Sequence, residues 1–129
     1  MDVLASRILL HPRDRMRSVQ FYRDTLGLAV AREFGPAEDP GTVFYLGNGL
    51  LEVSGPPDQA PPAGFALWIQ VRDVNAEHAR LAGAGVTVVR EPRTEPWGLI
   101  ECWITDPDGV RVVLVEVPPN HPLRRDLRT

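Results

Sequence analysis

The sequence predicts an α+β fold made of two βαβββ modules in tandem. Three observations support it: short segments rich in β-branched and aromatic residues alternate with helical patterns, turn residues separate them, and the same order of elements occurs twice. The chain has 129 residues, enough for one domain or two small repeats but too few for two domains with large cores. We therefore expect one domain, residues 1–129, with modules at about 5–54 and 65–118.

The first half is predicted to fold as a strand, a helix and three strands. Pro12 ends the opening strand, Asp14 is a typical helix N-cap, and Gly27 is typical of a helix end. Two later strands meet at a Gly47-Asn48-Gly49 turn. The predicted strands are residues 6–11, 28–34, 42–46 and 50–53, with the helix at 14–26.

The second half repeats this order after a proline- and glycine-rich linker, residues 55–64. Asp73 caps its helix, and Asp106-Pro107-Asp108-Gly109 forms the turn of its last hairpin. The proline-broken tail, residues 119–129, is predicted to be a solvated terminus, and its His121 has no evident partner. The predicted elements are strands at 66–71 and 86–90, a helix at 73–82 and a hairpin at 97–116.

Two local matches indicate that the halves arose by internal duplication. Arg72-Asp73 follows Arg13-Asp14 by 59 positions (72 − 13 = 59), and Val89-Arg90-Glu91 follows Ala31-Arg32-Glu33 by 58 (89 − 31 = 58). Each match is short, but both agree with the repeated order of elements.

Composition excludes several classes of partner. The net charge of −3, the pI near 5.6 and the scattered arginines offer no basic patch for nucleic acid. One cysteine cannot form an internal disulfide, and no apolar run has the length of a targeting or transmembrane segment. We therefore expect a cytoplasmic protein with neither a nucleic-acid nor a membrane partner.

The last hairpin has the most informative side-chain pattern. Side chains alternate along a strand, so Cys102 and Ile104 share a face that suits a core. Glu101 and Trp103 share the opposite face, and Arg111 joins them after the turn. An acid beside an indole is more typical of a cavity than of a packed layer. We therefore expect the ligand to meet this second face.

Three tryptophans are the main ligand-binding candidates. Trp68 lies on the same strand face as Ala66, Trp103 lies beside Glu101, and Trp97 stands at the mouth of the hairpin. An indole offers a large flat apolar surface and one hydrogen-bond donor. The alternative is that the three indoles fill the core between the sheets.

Polar candidates lie on the same predicted faces. Glu52 and Glu101 could orient a ligand's amine or hydroxyl, or act as a general base. Alternatively, each is simply paired with Arg7 or Arg111, since an unpaired carboxylate in a cavity is costly. His11, at a strand end on the cavity side, could hydrogen-bond a ligand or be incidental.

The duplicated βαβββ unit, with FYRDTLGL at the end of its first helix and DPDGVRVVLVE in its last hairpin, resembles the vicinal oxygen chelate superfamily. This superfamily includes glyoxalase I, extradiol dioxygenases, fosfomycin resistance enzymes and bleomycin resistance proteins. The resemblance implies that two curved sheets form a cup with helices outside, and that homodimers are common. Members catalyse unrelated reactions or none, so the fold leaves the chemistry open.

The enzymes of the superfamily place four metal ligands, usually His or Glu, on the first and last strands of each module. The corresponding positions here are Arg7, Glu52, Ala66 and Val113. A divalent metal needs several imidazole or carboxylate donors, and only Glu52 can serve. We expect Arg7 to pair with Glu52 instead. The resemblance, with this departure, predicts no metal and no cofactor; a two-residue shift that recruited His11 or Glu101 would still supply too few ligands.

Two functions remain. The first is a metal-free binding protein resembling the bleomycin resistance proteins, a homodimer that sequesters a hydrophobic, aromatic or cationic ligand, such as an antibiotic, in a tryptophan-lined cavity. The second is a lyase, isomerase or dioxygenase that uses a metal or has Glu52 or Glu101 as its general base. The missing metal ligands favour the binding protein, with no catalytic residue assigned. The predicted ligand-binding residues are Arg7, His11, Glu52, Trp68, Trp97, Glu101, Trp103 and Arg111.

Overall fold

The computed structural model, which describes residues 1–56 and 64–125, contains two four-stranded sheets, one in each half of the chain. A helical connection joins the first two strands of each sheet. The predicted α+β fold of tandem βαβββ modules is confirmed. The chain divides into two compact units, Met1–Pro61 and Pro62–Thr129. Most of the predicted linker, residues 57–63, lies outside the described residues.

Module 1 follows the predicted order with small shifts at the strand ends. Its strands lie in the spatial order β1-β4-β3-β2, with β1 parallel to β4 and the other pairs antiparallel. The Asp14 carboxylate caps the helix by accepting the Arg17 N–H at 3.1 Å, as predicted. The elements are β1 (Ile8–Leu10), α1 (Arg15–Gln20), a π-helical segment (Phe21–Thr25), β2 (Val30–Phe34), β3 (Gly41–Leu46) and β4 (Gly49–Val53).

One face of this sheet supplies buried apolar residues to the module core. Phe44, Leu51 and Val53 have no exposed surface, and neither does Tyr22 of the π-helical segment. The rings of Tyr22 and Phe44 lie 6.2 Å apart between centroids. Burial of these side chains holds the helical connection on this face.

Module 2 repeats the topology in the order β5-β8-β7-β6, with β5 parallel to β8. Asp73 caps its helix by accepting the Ala76 N–H at 3.0 Å. In the hairpin turn the Asp106 carboxylate accepts the N–H groups of Asp108 and Val110 at 2.8 and 2.9 Å. The elements are β5 (Ala66–Gln70), α2 (Val74–Gly83), β6 (Val88–Thr94), β7 (Ile100–Thr105), β8 (Arg111–Glu116) and α3 (Pro122–Arg125).

The core face of the second sheet is the one predicted from the hairpin. Cys102 and Ile104 have no exposed surface, and they share this face with the buried Leu67 and Val112. Burial also raises the pKa of the Cys102 thiol. Cys102 is therefore a packed core residue, as predicted. Within residues 1–56 and 64–125, no helix is long and apolar enough to cross a membrane.

Bulges in the edge strands were not predicted. The register shifts between Val30 and Arg32 in β2, and at the equivalent place, between Val88 and Arg90, in β6. A second shift in β6 falls between Arg90 and Arg93, around Pro92. Each bulge changes the face on which the following side chains lie. The strand β6 also runs to Thr94, beyond its predicted end.

Candidate functional site

The strand register brings a row of four side chains together on the face of the second sheet opposite to Cys102 and Ile104. Trp68 of β5 pairs with Val113 of β8, Val113 pairs with Trp103 of β7, and Trp103 pairs with Arg90 of β6. Directly paired residues point to the same side of a sheet. We call this surface the tryptophan face, defined by that row, its neighbours Ala66, Glu101 and Arg111, and Trp97, which bonds to Glu101.

Glu101 fixes two of the three indoles. It is 6% exposed, and its two oxygens accept the Nε1–H groups of Trp97 and Trp103, each at 3.1 Å. Arg90 lies close by, with its Nη2 3.8 Å from Glu101 Oε1. The alternative in which Glu101 simply pairs with Arg111 is not the arrangement found: both of its oxygens accept indole N–H groups, and the cation at ion-pair distance is Arg90. Glu101 therefore acts on this face as a buried acceptor that orients tryptophans.

Arg90 joins the acidic residues to the aromatic ones. Its guanidinium pairs with Glu95, which is 4% exposed, and its Cζ lies 3.6 Å from the ring centroid of Trp103. Burial lowers the pKa of Arg90, and Arg93 lowers it further. Sequence reasoning assigned no role to Arg90 or Glu95. The only available signal was the match of Arg90 with Arg32 in the repeat.

Arg111 lies over Trp103 as well, from the neighbouring strand β8. Its Cζ is 5.0 Å from the centroid of the indole ring. Two guanidinium groups thus contact Trp103, and any ligand would compete with them for that ring. Trp68 and Trp97, by contrast, are 50% and 57% exposed. The accessible aromatic surface of the site therefore belongs to Trp68 and Trp97.

The start of the C-terminal tail contacts Trp97. His121 Nε2 donates to the Trp97 carbonyl oxygen at 3.0 Å, while His121 Nδ1 accepts the Leu123 N–H at 3.2 Å. His121 thus precedes and caps the short helix α3. Pro119, Asn120, Pro122 and Leu123 are exposed, as a solvated tail predicts, but His121, for which the sequence offered no partner, bonds to the loop that carries Trp97.

The module 1 candidates form a separate closed network. Arg7 Nη1 donates to Glu52 Oε1 at 2.8 Å, and Ser54 Oγ donates to Glu52 Oε2 at 2.6 Å. His11 Nδ1 donates to the Ser54 carbonyl oxygen at 2.7 Å. The hydroxyl of Ser54, followed by the guanidinium of Arg7, lowers the pKa of Glu52. The expected Arg7–Glu52 pair is present, and it makes Glu52 a weak base.

A cavity of about 330 Å³ lies near the start of α1 and contains none of the predicted ligand-binding residues. It is lined by Pro12, Arg13, Arg15, Asp39, Gly55 and Pro56. Arg15 and Asp39 form an ion pair there at 2.6 Å. The two side chains thus satisfy one another.

The donors at the four positions that hold metal in related enzymes do not fit a divalent ion. Ala66 and Val113 have no donor atom, and Glu52 is already bonded to Arg7 and Ser54. Among the residues that the structure describes, no group of three or more His, Cys, Asp or Glu side chains is placed to hold a metal. In module 2 these positions instead give the tryptophan face a small apolar floor.

Several solved structures share this fold. A member of the Glyoxalase/bleomycin resistance protein/dioxygenase superfamily from Sphaerobacter thermophilus DSM 20745 is 24% identical, with a TM-score of 0.73 over 89% of this chain and 98% of that one. TnmS3, an antibiotic binding protein from Streptomyces sp. CB03234, is 22% identical, with a TM-score of 0.75 over 91% and 98%. TioX from Micromonospora sp. ML1 is 21% identical, with a TM-score of 0.74 over 88% and 98%.

Sequence comparison assigns the family. No curated protein matches the chain significantly. The family model described as Glyoxalase/Bleomycin resistance protein/Dioxygenase superfamily matches residues 6–114, which is most of the chain. This agrees with the tandem βαβββ modules and with the similarity to the superfamily member from Sphaerobacter thermophilus. The chain therefore belongs to the Glyoxalase/Bleomycin resistance protein/Dioxygenase superfamily.

Proposed function

We propose that this protein binds a planar hydrophobic or aromatic small molecule on the tryptophan face without the help of a metal ion. The observation that carries the proposal is the exposure of two indoles: Trp68, which pairs with Val113 and shares a strand face with Ala66, and Trp97, which bonds to Glu101. Covering such surface with a flat ligand removes apolar area from water, worth about 25 cal/mol per Å² before ordering costs.

The roles of the indoles differ from the sequence expectation. Trp103 is contacted by Arg90 and Arg111, so the ligand stacks on Trp68 and Trp97 instead. Glu101 contributes by holding Trp97 in place, which lowers the entropy lost when the ligand binds. Preorganisation of this kind needs a rigid acceptor, and the buried carboxylate provides one.

The module 1 candidates have a different part in the proposal. Arg7, His11 and Glu52 satisfy one another through Ser54, so we assign them no direct bond to the ligand. A general-base role for Glu52 would require a higher pKa, whereas its surroundings lower it. No observation favours the enzyme alternative over ligand binding.

Known binders of similar fold suggest which ligands to test first. TnmS3 is described as an antibiotic binding protein. At 22% identity it shares the fold alone, so antibiotics enter here as one ligand class among planar aromatic compounds.

We also propose that the protein acts as a homodimer, which light scattering after size-exclusion chromatography would test.

The binding test compares equivalent positions in the two modules. We would titrate planar aromatic compounds, antibiotics included, and follow the indole N–H signals of Trp68, Trp97 and Trp103 by NMR. Trp68→Ala is expected to weaken binding about tenfold or more. Leu9→Ala is the matched control, since Leu9 pairs with Glu52 as Trp68 pairs with Val113, and it should change affinity less than about twofold.

The metal-free part of the proposal has its own test. Purified protein would be incubated with Zn²⁺, Ni²⁺, Mn²⁺ or Fe²⁺, dialysed and subjected to elemental analysis, with a substoichiometric content expected for each ion. A stoichiometric ion would contradict metal-free binding. Failure of every aromatic compound to move an indole signal would contradict the binding function itself.

A further inference from the structure

We infer that the ligand of the tryptophan face is an anionic aromatic molecule, one whose ring system bears a carboxylate, a sulfonate or an ionised phenol. The inference rests on the proposed function and adds the charge of the ligand to it. Three arginines and two glutamates in and around this face support it, both by their number and by how exposed each side chain is. They are Arg90, Arg93, Glu95, Glu101 and Arg111.

Negative charge on this surface lies beneath positive charge. Glu95 and Glu101 are 4% and 6% exposed, whereas the side chain of Arg93 is 61% exposed and Arg111 is also exposed. Solvent and ligand therefore meet guanidinium groups before they meet carboxylates. A net charge of −3 for the whole chain makes this local excess of positive charge a distinctive feature of the surface.

Both carboxylates are already engaged. Glu101 accepts two indole N–H groups, and Glu95 is shared by Arg90 and by Arg93, whose Nε lies 3.5 Å away. A ligand amine would have to displace one of these partners while it approached Arg111. Since like charges at close range repel, a cationic ligand is disfavoured, contrary to the cationic class that the sequence left open.

Arg111 is the residue best placed to receive an anion. Within the described part of the chain, no carboxylate lies within ion-pair distance of its guanidinium. It pairs in register with Ala66, whose small side chain leaves space beside it. Trp68 is two residues beyond Ala66 on the same strand face. A ring stacked on Trp68 would thus carry its acidic group to the planar guanidinium of Arg111.

The test uses three probes with one ring system and different charges: 2-naphthoate, 2-naphthylmethanol and 2-naphthylmethylammonium. Isothermal titration calorimetry would give the three affinities at low salt and at about 0.5 M salt. The naphthoate is expected to bind at least about fivefold more tightly than the alcohol, and the ammonium more weakly than the alcohol. Added salt should narrow the differences because it screens exposed charges.

Variants locate the preference. Arg111→Gln should bring the naphthoate to the affinity of the alcohol, while Arg111→Lys should keep part of the difference, since it retains the charge but loses the planar fork. Arg80→Gln is the control: it removes an arginine of the same module that pairs with Glu77 on α2, and it should leave the preference intact. Circular dichroism would verify that each variant is folded.

The outcomes separate the two proposals. If none of the three naphthalenes or the other aromatic compounds binds, both the binding function and the inference fail. If the alcohol or the ammonium binds as tightly as the naphthoate, the anionic inference alone fails and aromatic binding stands. A naphthoate preference that survives Arg111→Gln would also overturn the anionic inference, because a residue other than Arg111 would then bind the carboxylate.

Discussion

The two modules place different chemistry on the same strand framework. In module 1, residues at four paired positions across the face opposite to Phe44 and Leu51 are Leu9, Glu52, Val43 and Arg32. The equivalent row in module 2 is Trp68, Val113, Trp103 and Arg90. Only the arginine is common to both rows. Glu52 of module 1 corresponds to the apolar Val113 of module 2. The aliphatic Leu9 and Val43 correspond to Trp68 and Trp103.

The difference shows that two modules with the same topology can have different side-chain chemistry at equivalent positions. In module 1 the row contains a carboxylate whose partners, Arg7 and Ser54, lie just outside the ends of β1 and β4. In module 2 the row contains no acid; Glu101, two residues before Trp103 on β7, accepts the N–H groups of two indoles. Module 1 thus has a self-satisfied polar network, whereas module 2 has exposed aromatic surface at Trp68 and Trp97.

The largest expected effect on stability comes from a comparison of Glu101 in module 2 with Glu52 in module 1. Glu101→Ala leaves two indole N–H groups without their acceptor and removes a carboxylate near Arg90. The free energy of unfolding should therefore fall by about 3 kcal/mol. Glu52→Ala breaks a more exposed pair and should cost about 1 kcal/mol. Urea denaturation at pH 7 measures both values. Equal losses would show that the two carboxylates have equivalent structural roles.

A second prediction transplants the module 1 pair into module 2. Val113→Glu places a carboxylate on an apolar floor and should cost about 2 kcal/mol. Adding Ala66→Arg at the position equivalent to Arg7 should restore up to about 1 kcal/mol. A double-mutant cycle in urea gives this coupling energy. Absence of coupling would mean that the equivalent positions do not place their side chains within reach of one another.

Acid titration should reveal the module 1 pair. The pKa of Glu52 in the folded protein is lower than its ordinary value of 4.5, so its stabilisation is complete above that value and is lost as the pH falls through the folded pKa. Glu52→Gln should therefore be less stable than the wild type by about 1 kcal/mol at pH 7, and this difference should shrink as the pH falls below 4.5 and through the folded pKa. Denaturation at several pH values tests this; Glu38→Gln, a change at an exposed loop residue, is the control. A constant gap would contradict the assignment.

The smallest effect concerns the tail, for which module 1 shows no counterpart within residues 1–56. His121→Ala removes the donor to the Trp97 carbonyl and the cap of α3. We expect a loss of about 0.5 kcal/mol in stability and a two- to threefold loss of ligand affinity, because Trp97 becomes more mobile. Relaxation of the Trp97 indole signal measures that mobility. His78→Ala on α2 is the control. Equal mobility of the Trp97 indole in both variants would show that the tail does not position Trp97.

Local sequence chemistry was sufficient for much of the fold. Asp14 and Asp73 accept the N–H groups expected of helix caps, and the Asp106 turn closes the hairpin as predicted. These features depend on residues a few positions apart, so their physical causes are visible in the sequence. Alternation along β7 also placed Cys102 on the core face and Glu101 opposite to it.

The rest of the site depends on contacts that the sequence does not specify. Two bulges in β6 change the side-chain alternation around Arg90, so strict period-two reasoning could not assign its face. Glu95 follows that strand in a loop, and His121 reaches Trp97 from 24 residues away. Side chains brought together by irregular backbone and distant loops leave no periodic signal.

The proline in the edge strand β6 also bears on how the protein behaves at high concentration. An edge strand presents unpaired N–H and C=O groups that can recruit the strand of another molecule. Pro92 has no N–H to offer, and the register shift around it interrupts the regular spacing that a second strand would have to match. The same irregular segment that turns Arg90 towards Trp103 thus makes this edge a poor template for aggregation.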